Sequence, residues 1–274
     1  MSATPLIATG RADRTEDRIL LRSDADGVAS LTLNRPAQRN ALSVALMAEL
    51  QAALDAIAAD RSVRVVVIQA AGPAFCAGHD LRELRATPAR AAYDALFRQC
   101  SAMMLSITRL PQPVIAKVHG AASAAGCQLV ATTDLAVASR AARFATPGVN
   151  IGLFCSTPMV PLSRAVGRKA AMEMLLTGEA VDADTARSLG LVNRVVDPGR
   201  LDVETTALAR RIASKSPLTV KIGKEAFYRQ LELGLQDAYD YASRVMTENM
   251  LASDAEAGID AFLDKKPEPD WQGR

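Results

Sequence analysis

Twice in this chain a run of apolar, β-branched residues passes directly into a loop of tiny side chains and then into a segment of helical pattern. The first run is Val63-Arg-Val-Val-Val-Ile-Gln69, followed by Ala70-Ala-Gly-Pro-Ala-Phe-Cys-Ala-Gly-His-Asp80. The second is Val114 to Val118, followed by Gly120-Ala-Ala-Ser-Ala-Ala-Gly126. Near-continuous apolar strands are those covered on both faces, as in a parallel sheet. Small residues allow close approach of backbone, and the first N–H groups of a helix have no acceptor within it. Each loop therefore offers N–H groups at a helix start, the geometry that holds an anion or an oxyanion. Gly78, Gly120 and Gly126 equally serve tight turns and close helix–strand packing, so the loops alone leave both readings open.

The remaining pattern fits an α/β chain. Ile19–Leu21 and Val28–Leu33 read as short strands joined by a turn at Asp24–Gly27, and Ser43 is an N-cap for a helix from Val44 to about Ala59. Arg90 to Thr108 is helical by spacing and is stopped by Pro111 and Pro113. Further strands are expected at Leu135–Ala138, near Arg143–Ala145 and at Gly190–Val196, with helices over 160–177 and 182–189. From about Asp202 the pattern is wholly helical. We divide the chain into a flexible arm (1–16), an α/β core (17–200) and a C-terminal helical region (201–274).

Composition excludes several classes of protein. With 49% hydrophobic and 23% charged residues the chain is an ordinary globular one, and a net charge of +2 shows no nucleic-acid footprint. No window approaches the ~18 apolar residues that span a bilayer, so no membrane partner is expected. Asp13, Glu16 and Asp17 argue against a transit peptide. Cys76, Cys100, Cys127 and Cys155 lack metal-ligand or disulfide spacing, which points to no metal and to a reducing, cytoplasmic setting. Gly120-Ala-Ala-Ser-Ala is not a nucleophile elbow, which removes a hydrolase built on Ser123 or Cys127.

A set of motifs in order along the chain resembles the crotonase superfamily, the enoyl-CoA hydratases and isomerases. They are Leu33-Asn-Arg-Pro with Asn40-Ala-Leu42, Val63–Ile68, Phe75-Cys-Ala-Gly-His-Asp80, Pro113-Val-Ile-Ala-Lys-Val-His-Gly120 and Asp134-Leu-Ala-Val-Ala138. Phe144-Ala-Thr-Pro147, Thr177-Gly178, Gly190-Leu-Val-Asn193 and Phe262-Leu-Asp-Lys-Lys-Pro267 complete the set. The segments Cys127–Val130 and Phe144–Pro158 further resemble one subgroup, that of enoyl-CoA hydratase domain-containing protein 3. The resemblance implies a spiral of ββα repeats followed by C-terminal helices that assemble a homotrimer or a dimer of trimers. It implies an acyl-CoA thioester as ligand, with coenzyme A part of the substrate and no separate cofactor.

Carried onto this sequence, the family's two backbone oxyanion donors fall on His79 and Ala125. Ala125 stands in the middle of what is usually a glycine triplet, which requires an ordinary φ there. The segments that hold the substrate fall on Arg39, Ala41 and Leu42, on Ala77 and Gly78, on Leu81 and Arg82, on Gly126 and Gly148, and on Lys265 and Lys266. The two catalytic glutamates of the hydratases fall on Gln128 and Gly148, neither of which is a carboxylate. An acidic residue of some relatives falls on Ser156. Each missing general acid or base is typically worth about 10²–10⁴ in rate. The expected function is an enoyl-CoA hydratase-like lyase or isomerase of fatty acyl-CoA metabolism; the alternative is an inactive or regulatory acyl-CoA binder. Asp80, Asp134 and His119 read as structural groups, and Glu83 as a solvated one.

Overall fold

The computed structural model describes residues 18–274; the arm expected over 1–16 lies outside them. The chain begins with a hairpin, β1 (Leu20–Ala25) and β2 (Val28–Leu33), turned at Asp26 and Gly27, both with positive φ. Ser43 then caps α1 (Val44–Ala59), its hydroxyl accepting from Leu46 N–H at 3.1 Å. The first repeat is β3 (Val65–Ala70), β4 (Ala74–Cys76), α2 (Leu81–Ala86) and α3 (Arg90–Arg109). The second is β5 (Val114–Val118), β6 (Ala121–Ser123) and α4 (Ala125–Thr132). The third is β7 (Leu135–Ser139), β8 (Arg143–Ala145) and α5 (Met159–Ala165), followed by α6 (Arg168–Thr177). The expected helix over 160–177 is thus broken at Gly167. A short β9 (Val181–Asp182), α7 (Ala183–Leu189) and β10 (Arg194–Val196) close the α/β part.

In each repeat the first strand enters one sheet and the second strand another. The larger sheet has the order β1-β2-β3-β5-β7-β10, parallel except for the β1–β2 hairpin. The smaller runs β4-β6-β8-β9, parallel up to the antiparallel β9. This is a spiral of ββα turns. Its core is one apolar cluster that includes Leu31, Leu33, Leu46, Leu50, Ile57, Ile68, Phe75, Met103 and Phe144.

The helical C-terminal stretch comprises α8 (Leu201–Ala213), α9 (Pro217–Gln230), α10 (Leu235–Met250) and α11 (Ser253–Leu263). Of these, α8 covers the outer face of the larger sheet, where Leu201, Leu208 and Ala209 pack with Val65, Val67, Ile115 and Val137. No helix among the described residues is long and apolar enough to cross a membrane.

Helix α9 is fastened to the core by a buried polar knot. Lys224 Nζ pairs with Asp134 at 2.7 Å and donates to the carbonyls of Ile107 and Gln112, both at 2.9 Å. Asp134 also accepts from Tyr228 OH at 2.8 Å and from Val114 N–H at 2.6 Å. Burial pushes the Lys224 ammonium below its usual range despite Asp134, and burial together with Asp134 raises the Tyr228 hydroxyl. Removing one partner of a buried ion pair strands the other. Asp134→Ala should therefore lower the unfolding free energy by about 3–5 kcal/mol, read in urea melts of parent and variant.

Candidate functional site

The two small-residue loops lie against each other. A β-carbon added to Gly78 would stand 2.9 Å from Ala124 Cβ, 3.1 Å from the Ser123 carbonyl and 3.3 Å from Ala125 N. One added to Gly126 would overlap the Cys76 carbonyl oxygen and come within 2.8 Å of Cys76 Cβ. Both readings of these glycines therefore meet at one place, since close packing is what brings the amides together.

A third segment is stapled to the first loop. Leu42 N–H donates to Gly78 O (2.7 Å), Asp80 N–H to Leu42 O (3.1 Å) and Ala77 N–H to Arg39 O (3.0 Å). Buried Asn40 secures the turn, accepting from Arg35 N–H and donating to the carbonyls of Ala71 and Ala74, each at 2.8 Å. Arg35 bridges to Ala41 O and to Asp80. Asp80 also caps α2; although burial opposes it, Arg35 and the N–H groups of Glu83 and Arg82 hold its carboxyl below the usual range. The structural readings of Asp80, Asp134 and His119 agree with these contacts, His119 Nε2 lying 2.8 Å from Gly72 O. Glu83, read as solvated, accepts from Val44 N–H at 3.0 Å and so helps to cap α1.

Among the described residues neither His79 N nor Ala125 N has a backbone or side-chain acceptor. Ala125 is the first residue of α4, where no helical acceptor exists. Its φ is not positive; the left-handed residue is Ala124, with φ 49° and ψ −116°. That combination suits glycine and strains alanine by about 1–3 kcal/mol. Glycine loses about 0.5–1 kcal/mol more in chain entropy on folding. Ala124→Gly should therefore raise stability by about 1 kcal/mol in a urea melt, the net of those two effects.

Side chains beside the loops are short of partners. His79 packs edge-on against Phe97 of α3 at 5.5 Å between ring centroids, and burial depresses its imidazole to about 4, so it is neutral at pH 7. Its Nε2, the Gln128 Oε1 and the Thr146 Oγ1 are buried without a hydrogen-bond partner. Such a group typically costs about 1–3 kcal/mol when left unpaired. Gln128 is on α4, one turn after Ala125, and borders a cavity of about 1060 Å³ between α3, α5 and α9. Met104, Leu105, Val160, Pro161 and Phe227 also border it.

The expected second acid position is closed. A β-carbon on Gly148 would lie 2.5 Å from Leu153 O and 2.9 Å from Cys155 Sγ, and Leu153 N–H already donates to Gly148 O at 2.9 Å. Cys155 is buried, and burial raises its thiol although Gly148 N–H opposes that. Burial pushes the Cys127 and Cys76 thiols up to about 12. Ser156 is exposed and, among the described residues, bonds only the Phe154 carbonyl beside it. Arg39, Leu81 and Arg82 are exposed at the rim; Leu42, Gly78, Gly126 and Gly148 are buried within it, Ala41 nearly so, and Ala77 is exposed. Lys265 and Lys266 form the C-terminal turn of α11, whose following tail returns to Ser214 through Trp271 and to Asp254 through Gln272. Among the described residues no hydrogen bond or ion pair links these lysines to the loops. Thr146 and Phe97 were not expected from sequence; Thr146 lies inside the Phe144–Pro147 motif, but nothing in the motif says that its hydroxyl goes unpaired.

Comparison with known proteins matches this ββα spiral. The enoyl-CoA hydratase/isomerase family model aligns with residues 23–274, and the chain belongs to that family, the crotonase superfamily. Within it the chain falls in the subgroup of enoyl-CoA hydratase domain-containing protein 3. The rat mitochondrial protein of that name is 44% identical over 98% of this chain and 89% of its own length. The human mitochondrial protein is 46% identical over 94% of this chain and 84% of its own. The crystal structure of the human protein superposes with a TM-score of 0.90 at 46% identity, covering 93% of this chain and all of that one. An enoyl-CoA hydratase from Mycobacterium smegmatis gives 0.91 at 56% identity, over 93% of this chain and 99% of its own. The rat, mouse and human relatives are named as mitochondrial proteins, which overturns the cytoplasmic expectation. Free, buried cysteines report packing rather than compartment, which is why that inference failed.

Proposed function

We propose that the chain binds an acyl-CoA thioester and polarises its carbonyl between the backbone N–H groups of His79 and Ala125, as a lyase or isomerase of fatty acyl-CoA metabolism. The observation that carries this is the pair of unpaired amides on two loops in contact through Gly78 and Gly126. One well-aimed donor is typically worth about 3–4 kcal/mol of transition-state stabilisation. In this reading Arg39, Arg82, Lys265 and Lys266 meet the CoA phosphates, while Ala41, Leu42, Ala77, Leu81 and Gly148 shape the channel. The lysines come from another copy, in a homotrimer or dimer of trimers. Its support is the apolar surface of α10 and α11, where Leu235 is 78% and Phe262 81% exposed.

A second reading, an inactive or regulatory acyl-CoA binder, is favoured by one specific observation: Gln128 has no basic oxygen and Gly148 has no room for one. Calorimetric titration with a panel of enoyl- and acyl-CoAs, alongside turnover, separates the two. Binding with turnover above buffer supports the enzyme; binding with turnover equal to buffer supports the binder. Absence of binding by any thioester sinks both.

A further inference from the structure

We infer that Asp254 is a positioning residue for the acyl-CoA site: through the returning tail, residues 267–274, it fixes where Lys265 and Lys266 stand against the CoA phosphates. The inference rests on the reading that these lysines meet those phosphates in another copy. Asp254 is 3% exposed, and among the described residues it alone of α11 is buried. Its carboxylate accepts from Ser216 Oγ–H at 2.5 Å, from Gln272 N–H at 2.8 Å and from Gly273 N–H at 3.0 Å. None of these donors belongs to α11, so the carboxylate is not spent on capping its own helix. It joins the start of α11 to the residue that caps α9 and to the tail. Its own N–H donates to Arg274 O at 2.9 Å. Hydrogen bonds to an ionised group are about twice as strong as neutral ones, which suits a clamp.

The tail runs back along α11 and makes a hairpin of it. At the base, Gln272 and Gly273 meet Asp254. One turn further along α11, Trp271 lies against Gly258, where an added β-carbon would stand 3.1 Å from the indole. Trp271 Nε1 also donates to Ser214 O at 2.9 Å, and Glu268 pairs with Lys215 at 2.6 Å. The apex of the hairpin is Asp264-Lys265-Lys266. There Lys265 N–H donates to Phe262 O and Lys266 N–H to Ala261 O, the bonds that close a helix through a left-handed residue. That residue is Lys265, with φ 56°, at a position where glycine is usual. A lysine there accepts backbone strain and sets a cation at the apex. Lys266 pairs with Asp264 at 2.8 Å, an exposed contact that a phosphate can displace.

Leverage gives the clamp its effect. The 11 residues of α11, at about 1.5 Å each, place the apex roughly 16 Å from the base. A tilt of about 10° at the base then moves the lysines by roughly 3 Å, a full hydrogen-bond length. Within one chain apolar burial does not resist that tilt, because Ile259, Phe262 and Leu263 of α11 are exposed.

Calorimetric titration of the purified full-length protein with butyryl-CoA tests this. Replacing both lysines, Lys265→Ala with Lys266→Ala, should weaken binding about tenfold, the worth of a hydrogen bond to a charged group. Asp254→Asn keeps the size but puts a donor where one acceptor oxygen stood. It should weaken binding as much, with a red shift in the emission of Trp271, the chain's one tryptophan. The triple variant should bind no more weakly than either, because both changes remove the same contact. Three results overturn the inference: losses that multiply to about a hundredfold, a folded Asp254→Asn that binds like the parent, or weakened binding with Trp271 emission unchanged. Should Asp254→Asn not fold, Trp271→Ala loosens the same tail at a half-buried position and is judged by the same coupling to the lysines. If the parent does not bind butyryl-CoA, or the lysine variant binds as the parent does, the reading beneath falls first and takes this inference with it. That result is distinct from a lysine loss that Asp254→Asn fails to share.

Discussion

Gly126→Ala should abolish thioester binding and lower the unfolding free energy by about 1–3 kcal/mol or more, the usual cost of forcing extra volume into a packed core. The new β-carbon would stand 2.1 Å from the Cys76 carbonyl oxygen, and backbone cannot rotate away as a side chain would. Either α4 or the loop after β4 must then retreat. Both moves separate Gly78 from Ala125, and with them the amides of His79 and Ala125. The effect on binding should therefore exceed what the loss of stability explains. Measured well below the melting temperature, with circular dichroism showing a folded chain, affinity for an acyl-CoA should fall beyond detection. Gly120→Ala is the control. Its β-carbon would meet the Pro73 carbonyl at 2.7 Å, at the other end of β6, so it strains the same layer without standing between the amides. Equal affinity losses in the two variants would mean that loop contact is a matter of stability alone.

Much of the fold is legible because burial writes a local pattern. β3 reads as a strand covered on both faces from its valines, and α1 from Ser43 and the spacing of Leu46, Leu50, Leu54 and Ile57. β4 and β6 are three-residue strands of small side chains, and they exist because they pair with each other across 45 or so residues of intervening chain. No local signal carries that. The same holds at the site. Glycines announce that something comes close, yet only the folded chain shows that Gly78 meets Ala124 and Gly126 meets Cys76. Alignment by motif placed Ala125 at a glycine position but could not say which residue turns left-handed, and it is Ala124. Motif alignment likewise could not say that Ser156 stands in an exposed turn with its hydroxyl 3.4 Å from the Phe154 carbonyl.

A carboxylate restored at position 128 should bring hydration of crotonyl-CoA up by about 10²-fold or more, the lower end of what one positioned base contributes. Glutamate differs from Gln128 by one terminal atom, so Gln128→Glu needs no repacking. Its site is almost wholly buried, and burial disfavours the charged form, so the new carboxyl should titrate above the ordinary value of about 4.3. Two pH dependences follow with opposite signs. Turnover should rise with pH as the base ionises. Stability relative to the parent should fall over the same range, since the unfolded chain loses its proton at a lower pH than the folded one and is favoured once both are ionised. Adding Gly148→Glu should not improve on the single variant. Its β-carbon would stand 2.5 Å from Leu153 O in a turn closed by the Leu153 N–H bond to Gly148 O, so the segment from 148 to 155 must open before a side chain fits. The double variant should be the less stable by about 1–3 kcal/mol and no faster. Turnover of Gln128→Glu equal to the parent, with crotonyl-CoA bound, would mean that the β-carbon of the acyl chain does not lie beside residue 128. A double variant that outpaces the single one would mean that the turn at Gly148 opens readily, and that the missing second carboxylate was lost for want of a side chain rather than for want of space.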